Sequence, residues 1–265
     1  MHRIGEWLLE KNMHAALVAF VCTLLPLVGL PGDFLASIIV AFVTLRKGMR
    51  QGLYILAWVA LPSIALLFLH EMGTFDVMLA RCIIVWLIAG VLHKTHSWAR
   101  VLYVLVIIGL IGVTAFHAVV SDPIGWWASR ITAYLASIAK EAQLPASELT
   151  AHATRLATFA TGLMTMVILL GVFLQLMIAR FWQAAIFNKG GLRHEGLNIR
   201  MSHVMSIVLM VAFIASLFHV AIIVDWLPVL LLPFLIAGLS LLHMCVEQKR
   251  VWIFGMAFLY VAMVL

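Results

Sequence analysis

Arg180-Phe-Trp-Gln-Ala-Ala-Ile-Phe-Asn-Lys-Gly-Gly-Leu-Arg-His-Glu-Gly-Leu-Asn-Ile-Arg200 is the densest polar stretch in a chain that is otherwise mostly apolar. It carries Arg180, Lys189, Arg193 and Arg200, two aromatic residues suited to a lipid headgroup boundary (Trp182 and Phe187), and a run, Asn188–Gly191, that must turn. The stretch joins two long apolar segments and so fixes the side of a membrane from which both start. Working outward from it, the chain reads as an all-α polytopic transmembrane helix bundle. About eight or nine helices and one amphipathic helix on the far side are expected.

Composition supports that class. The 265 residues are 65% hydrophobic and only 11% charged, and the mean hydropathy is +1.13. A soluble domain carries roughly 25% charged residues, so a water-soluble fold is excluded. The net charge of +6 would suggest nucleic acid in a soluble protein; here unequal loops explain it, and no nucleic-acid partner is expected. Cys22, Cys82 and Cys245 all fall in apolar segments, with no disulfide or zinc spacing. The first apolar run follows Glu6, Glu10 and Lys11 without a small-residue cleavage site, so it reads as a retained anchor.

In chain order, residues 1–12 form an amphipathic lead-in. Apolar helices are expected over Met13–Leu30, Phe34–Leu45, Gly52–Leu69, Val77–Leu92 and Trp98–Val120. The second is short for a hydrocarbon core about 30 Å thick. Residues 121–156 break the pattern. Trp127, Ile131, Tyr134, Leu135, Ile138 and Ala142 recur at three- and four-residue steps, which predicts a surface-lying helix over 124–143. Leu144-Pro145 then breaks it, with Pro145 at a new helix start. One long helix is expected from Ser147 to Phe187, about 60 Å of it, then Ser202–Val224, a turn at Asp225–Pro228, and Val229–Val246. Val251–Leu265 stops without a cap and reads as an incomplete last helix. A single transmembrane domain, 1–265, is expected, with a polar loop over 180–201.

Threading these helices in alternation puts thirteen of the 17 Lys and Arg residues on one side. Arg130, Lys140 and Arg155 fall on the other, and Arg81 lies within a helix. The excess marks the cytoplasm, so the N-terminus and the 180–201 loop are expected there. Trp126, Trp127 and Trp226 then sit at the outer boundary; Trp7, Trp98, Trp182 and Trp252 sit near the inner one.

Three ionisable residues lie inside apolar helices near the outer boundary: Arg81, His117 and His219. Intramembrane charge is costly and usually faces a cavity or a partner. One reading makes the three an outward-facing pocket for an anionic or polar small ligand. The other has Arg81 snorkelling or pairing with Glu71, Asp76 or Asp225, and both histidines bonding to backbone. A metal reading would draw on His70, Glu71, His117, Asp122, His152 and His219, but no pair has a recognised zinc spacing, and no metal or other cofactor is expected. Gly238-Leu-Ser240 resembles a rhomboid-type serine loop, yet nothing beyond His243 supplies the base; no catalytic residue is assigned and enzyme activity is not expected.

Two features read as docking surfaces or as plain structure. Ala15 and Ala19 form a small-residue face, and Gly48 and Gly52 another. In the central stretch, Trp182, Phe187, Asn188, Gly190, Gly191 and Arg193 form either a headgroup-anchored turn or a handle for a cytoplasmic or membrane partner.

At Arg180–Arg193, where an aromatic-Trp-Gln core leads into Asn-x-Gly-Gly, and at Leu45-Arg46-Lys47-Gly48, the chain resembles the YybS-like family of bacterial membrane proteins. The likeness covers nearly the whole layout, though only these two short motifs are distinctive. That family is distantly similar to the substrate-binding S components of energy-coupling-factor vitamin transporters. The resemblance implies a ligand pocket near the outer face, an ATPase-containing partner and the Ala15/Ala19 face as its docking surface. S components are shorter, typically six-helix, and no vitamin-specific motif is present. The functional expectation is a non-enzymatic small-molecule binding or transport component; the alternative is a scaffold or accessory subunit working through its cytoplasmic loops.

Overall fold

The computed structural model describes residues 2–68, 74–142, 146–188, 190–196 and 199–248. Among them all regular structure is helical: α1 (His2–Glu10), α2 (Asn12–Leu24), α3 (Gly32–Lys47), α4 (Met49–Phe68), α5 (Thr74–Thr95), α6 (Trp98–Val119), α7 (Pro123–Ala142), α8 (Ala146–Ala157), α9 (Ala160–Phe187), α10 (Gly191–Gly196), α11 (His203–Ser216) and α12 (Ala221–Gln248), with a 3₁₀ turn at Leu25–Val28. By length and composition, four stretches among the described residues can cross a membrane: Val77–Thr95, Trp98–Val119, Ala160–Phe187 and Ala221–Val246. That is the make-up of a membrane-embedded α-helical protein. Leu144-Pro145, Lys189, the run 251–265 and most of the turn expected at His70–Asp76 lie outside the described residues.

The chain divides into two compact units. Unit 1 comprises Met1–Leu102, Gly171–Ile199 and His243–Leu265; unit 2 comprises Tyr103–Leu170 and Arg200–Leu242.

Unit 1 is built around α3. Its residues from Ala36 to Leu45 are all buried, as befits a helix that is apolar all round, and it packs against α2, α4 and α5. Two glycines let its neighbours close on it. Gly48 ends α3 at φ +91°, donating its N–H to the Thr44 carbonyl at 2.9 Å. A Cβ on Gly52 would overlap the Thr44 hydroxyl, so α4 leaves that turn flush against α3. Arg46 and Lys47 in the last turn suit the negative end of the helix dipole.

Ala15 and Ala19, expected as a docking face, are fully buried in the core of this unit. Small side chains allow close approach to any neighbour, and here the neighbours of α2 are the chain's own α3 and α4. The docking expectation is corrected accordingly. The lead-in is itself a helix, α1. Leu8 is buried, and a Cβ on Gly5 would meet Ile186 and Trp182.

Unit 2 departs from expectation in two places. The helix expected over 147–187 is two helices, parted at Thr158–Phe159, and α8 packs back along α7. Thr158 turns its hydroxyl onto the Arg155 carbonyl at 2.7 Å, and the new start at Ala160 is pinned by Asp225, as described below. The helix expected over 202–224 ends at Ser216, and the chain turns through His219, whose φ is +55°. The expected Asp225–Pro228 turn lies inside α12 instead, which carries both Pro228 and Pro233; helix-interior prolines are tolerated where neighbouring groups or local adjustment absorb the freed carbonyls. The helix expected over 124–143 is present as α7, which begins at Pro123, two residues after Ser121, and leaves Tyr134 70% exposed.

Candidate functional site

Three charged groupings stand among the described residues. The first lies where α3, α5, α6, α9 and α10 meet in unit 1. The C-terminal carbonyls of α3 have no partner within that helix. Leu45 O receives two side-chain donors instead, His93 Nδ1 at 2.9 Å and Gln183 Nε2 at 3.1 Å. Because a carbonyl only accepts, His93 carries its proton on Nδ1. The amide oxygen of Gln183 in turn accepts from Arg180 Nη1 at 2.6 Å. Arg180 also clamps Glu195 with two parallel bonds, Nε to Oε2 at 3.0 Å and Nη2 to Oε1. Trp98, 4% exposed, donates Nε1–H to the same carboxylate at 3.3 Å, and its ring meets Phe173 edge-on. The stretch that opened the sequence reading is therefore not a loose loop over 180–201. Arg180–Phe187 is the end of α9, Asn188 and Gly190 follow it, and α10 begins at Gly191, whose N–H bonds to Asn188 O at 3.0 Å.

This network borders a partly open cavity of about 70 Å³ whose polar lining is His93, His96, Arg180, Gln183 and Glu195. Such a space holds a handful of waters or one small polyatomic ligand. His96, at the end of α5, has φ +49° while its N–H bonds to Leu92 O at 2.8 Å. That is the left-handed position closing a helix, where Gly or Asn is the usual occupant.

The second grouping is in unit 2. His117 near the end of α6 bonds through Nε2 to Asp225 Oδ2 of α12 at 2.8 Å. Asp225 Oδ1 accepts the Gly162 N–H of the first turn of α9 at 2.8 Å. The carboxylate thus serves α9 as a cap supplied by another helix. Gly162 is required there, since a Cβ would overlap the Asp225 carbonyl oxygen. Asp225 is 3% exposed. Nearby, Trp127 donates to Thr161 Oγ1 at 3.0 Å, and Trp126, Trp127 and Phe116 form an aromatic cluster.

The third grouping is Arg81, whose Nη1 lies 3.1 Å from Asp33 Oδ2, both in unit 1. Of the partners expected for Arg81, Glu71 and the side chain of Asp76 lie outside what is described, and Asp225 is bonded to His117. Asp33 went unrecognised because it reads as part of a Pro-Gly-Asp turn, whereas it is the acidic residue in the first turn of α3.

Of the proposed ligand residues, Arg81 is ion-paired with Asp33 in unit 1 and His117 is hydrogen-bonded to Asp225 in unit 2. His219 lies not inside a helix but in the exposed turn between α11 and α12. Of the proposed partner residues, Trp182 turns inward and stacks on Phe42, ring centroids 4.7 Å apart. Phe187 is 42% exposed beneath the Arg46 guanidinium, 4.1 Å away. Asn188 is exposed, Gly190 has φ +88°, and a Cβ on Gly191 would overlap the Asn188 side chain. Arg193 lies in α10. Glu195, His93, Gln183 and Trp98 were missed as site residues. Only the density of charge at 180–200 hinted at them. Among the described residues no three His, Cys, Asp or Glu side chains converge on a metal position.

No protein-family model, curated protein or solved structure matches the chain.

Proposed function

We propose that the chain is a polytopic inner-membrane protein, with its N-terminus in the cytoplasm, that binds and helps to move a small polar molecule without enzymatic chemistry of its own. The observation that carries this reading is the His117–Asp225 pair, held between two apolar span-length helices. An ionisable pair at membrane depth is expensive and is kept where a solute or proton path needs it. About eight or nine crossings are proposed, α3 counted as one, because only then do the basic residues alternate to one side. The motif likeness to the YybS-like family, and through it to S components, supports a partner-coupled role. An ATPase-containing partner is proposed by that analogy alone. With Ala15 and Ala19 spent inside the protein, such a partner would meet the inner rim at Phe187, Asn188 and Gly190.

The test is mass spectrometry of gently purified protein. A low-mass species should travel with the wild type and be lost in Asp225→Asn, with helical content unchanged. Identical small-molecule inventories in both proteins would remove the pair from any ligand site.

A second reading has one observation in its favour. Arg81, the cation that would serve an outward pocket, is closed in a pair with Asp33. That suits a scaffold or accessory subunit working through the segment after α9. If so, bulky residues at Gly190 and Gly191 abolish co-purification of a partner while membrane insertion persists; unchanged partner recovery would count against it.

A further inference from the structure

The cavity at the ends of α3, α5 and α9 has features that a purely structural ion pair does not need. Three N–H donors, from Arg180 Nε, Arg180 Nη2 and Trp98 Nε1, converge on one carboxylate. A guanidinium fork joined by a further donor matches carboxylate and phosphate oxygens equally well. The carboxylate is also the outer member of the pair, with its side chain 30% exposed against 15% for Arg180. It is carried on α10, a six-residue helix entered through Gly190. Two imidazoles, His93 and His96, line the space beside the fork, and His96 occupies a left-handed cap position that a glycine would fill with less strain. Exposed Arg46, Lys94 and Arg100 lie at the ends of α3, α5 and α6, ends that the His93–Leu45 bond and short connections gather at one place. Their summed field favours an anion over a neutral solute.

We propose that this cavity is a binding site for a phosphate-type oxyanion, free or on a lipid headgroup, which takes over the Arg180 fork that the Glu195 carboxylate occupies. Glu195 is then an internal competitor. A dianionic phosphate offers the fork more charge than one carboxylate, and it gains the His96 imidazole that lines the same space. Release of Glu195 frees α10 from Arg180 and Trp98, so occupancy would be read out in the segment that follows α9. This site is independent of the His117–Asp225 reading above and stands or falls separately from it.

The experiment uses the full chain in neutral detergent with inorganic phosphate by calorimetry, and in nanodiscs containing phosphatidate or phosphatidylcholine by native mass spectrometry. Saturable one-to-one uptake of free phosphate supports the proposal with a soluble source. Retention of phosphatidate over phosphatidylcholine, without free-phosphate uptake, supports it with a lipid source. In either case Glu195→Gln, which removes the competing charge, should tighten binding about tenfold. His96→Gly should weaken it several-fold while raising thermal stability, because the cap relaxes as the imidazole is lost. Arg180→Gln should abolish binding, and the His96 variant keeps the test decisive even if Arg180→Gln fails to fold. Absence of saturable uptake of either probe by wild type and Glu195→Gln, or an affinity that both variants leave unchanged, overturns the proposal.

Discussion

The Arg180–Glu195 and His117–Asp225 pairs are both carboxylates held by helix-end donors, yet they are built for different ends. Asp225 is closed: its side chain is 4% exposed, one oxygen takes an imidazole, and the other takes the backbone N–H of Gly162. Glu195 is nearly a third exposed and faces a partly open cavity. Asp225 fixes where a helix begins while holding the imidazole proposed for the solute path; Glu195 occupies a place that a ligand can contest directly. Charge inside an apolar chain is thus not one kind of feature, and the group that satisfies the second oxygen separates the two kinds.

The largest expected effect breaks the closed pair. Asp225→Ala strips partners from His117 and from the first turn of α9 together, and should lower unfolding free energy in mixed micelles by about 3–5 kcal/mol. A loss below about 1 kcal/mol would mean that the pair is not structural. Gly162→Ala tests the same joint sterically. Its methyl overlaps the Asp225 backbone, so a loss of about 1–3 kcal/mol is expected, visible as faster proteolysis near Thr158–Phe159. Unaltered cleavage there would contradict the close approach of α9 and α12. At the more open pair, Arg180→Ala should cost about 1–2 kcal/mol, less than Asp225→Ala by the same denaturation assay; the reverse order would invert the comparison. Gly190→Ala, at φ +88°, should cost about 1 kcal/mol in melting experiments. Smallest is Arg81→Ala. Both members of its pair are about a third exposed, and no more than about 1 kcal/mol should be lost; a larger drop would class it with the closed pair.

Much of this architecture was legible in the chain because apolar runs and their polar borders are local signals. The ends of α6 and α7, the glycine stop of α3 at Gly48 and the turn at Asn188–Gly191 were all readable in this way. What escaped reading depends on partners far along the chain. The α8–α9 break is pinned by a carboxylate 63 residues beyond Gly162, and the partner of Arg81 is 48 residues before it. Asp225 and Pro228 were misread as a turn because both residue types also suit the early turns of a helix, which is where they stand in α12. The spacing of Ala15 and Ala19 cannot say whether the helix that fills it is internal or foreign. Trp182 suits a headgroup boundary by composition, but Phe42 offers it a ring to stack on, and no local pattern reveals that. The polar lining of the cavity comes from α5, α9 and α10, so only the charge density of one of those segments stood out.

The proposed function assumes that the basic helix ends of unit 1 face the cytoplasm. The direct measurement is labelling of single cysteines by a membrane-impermeant maleimide, in a background lacking Cys22, Cys82 and Cys245. Arg100 and Arg130 are both exposed and fall on opposite sides of the proposed threading. A cysteine at position 130 should react in intact spheroplasts, and one at position 100 only after the membrane is permeabilised. Labelling at position 100 in sealed spheroplasts would invert the threading and contradict the account.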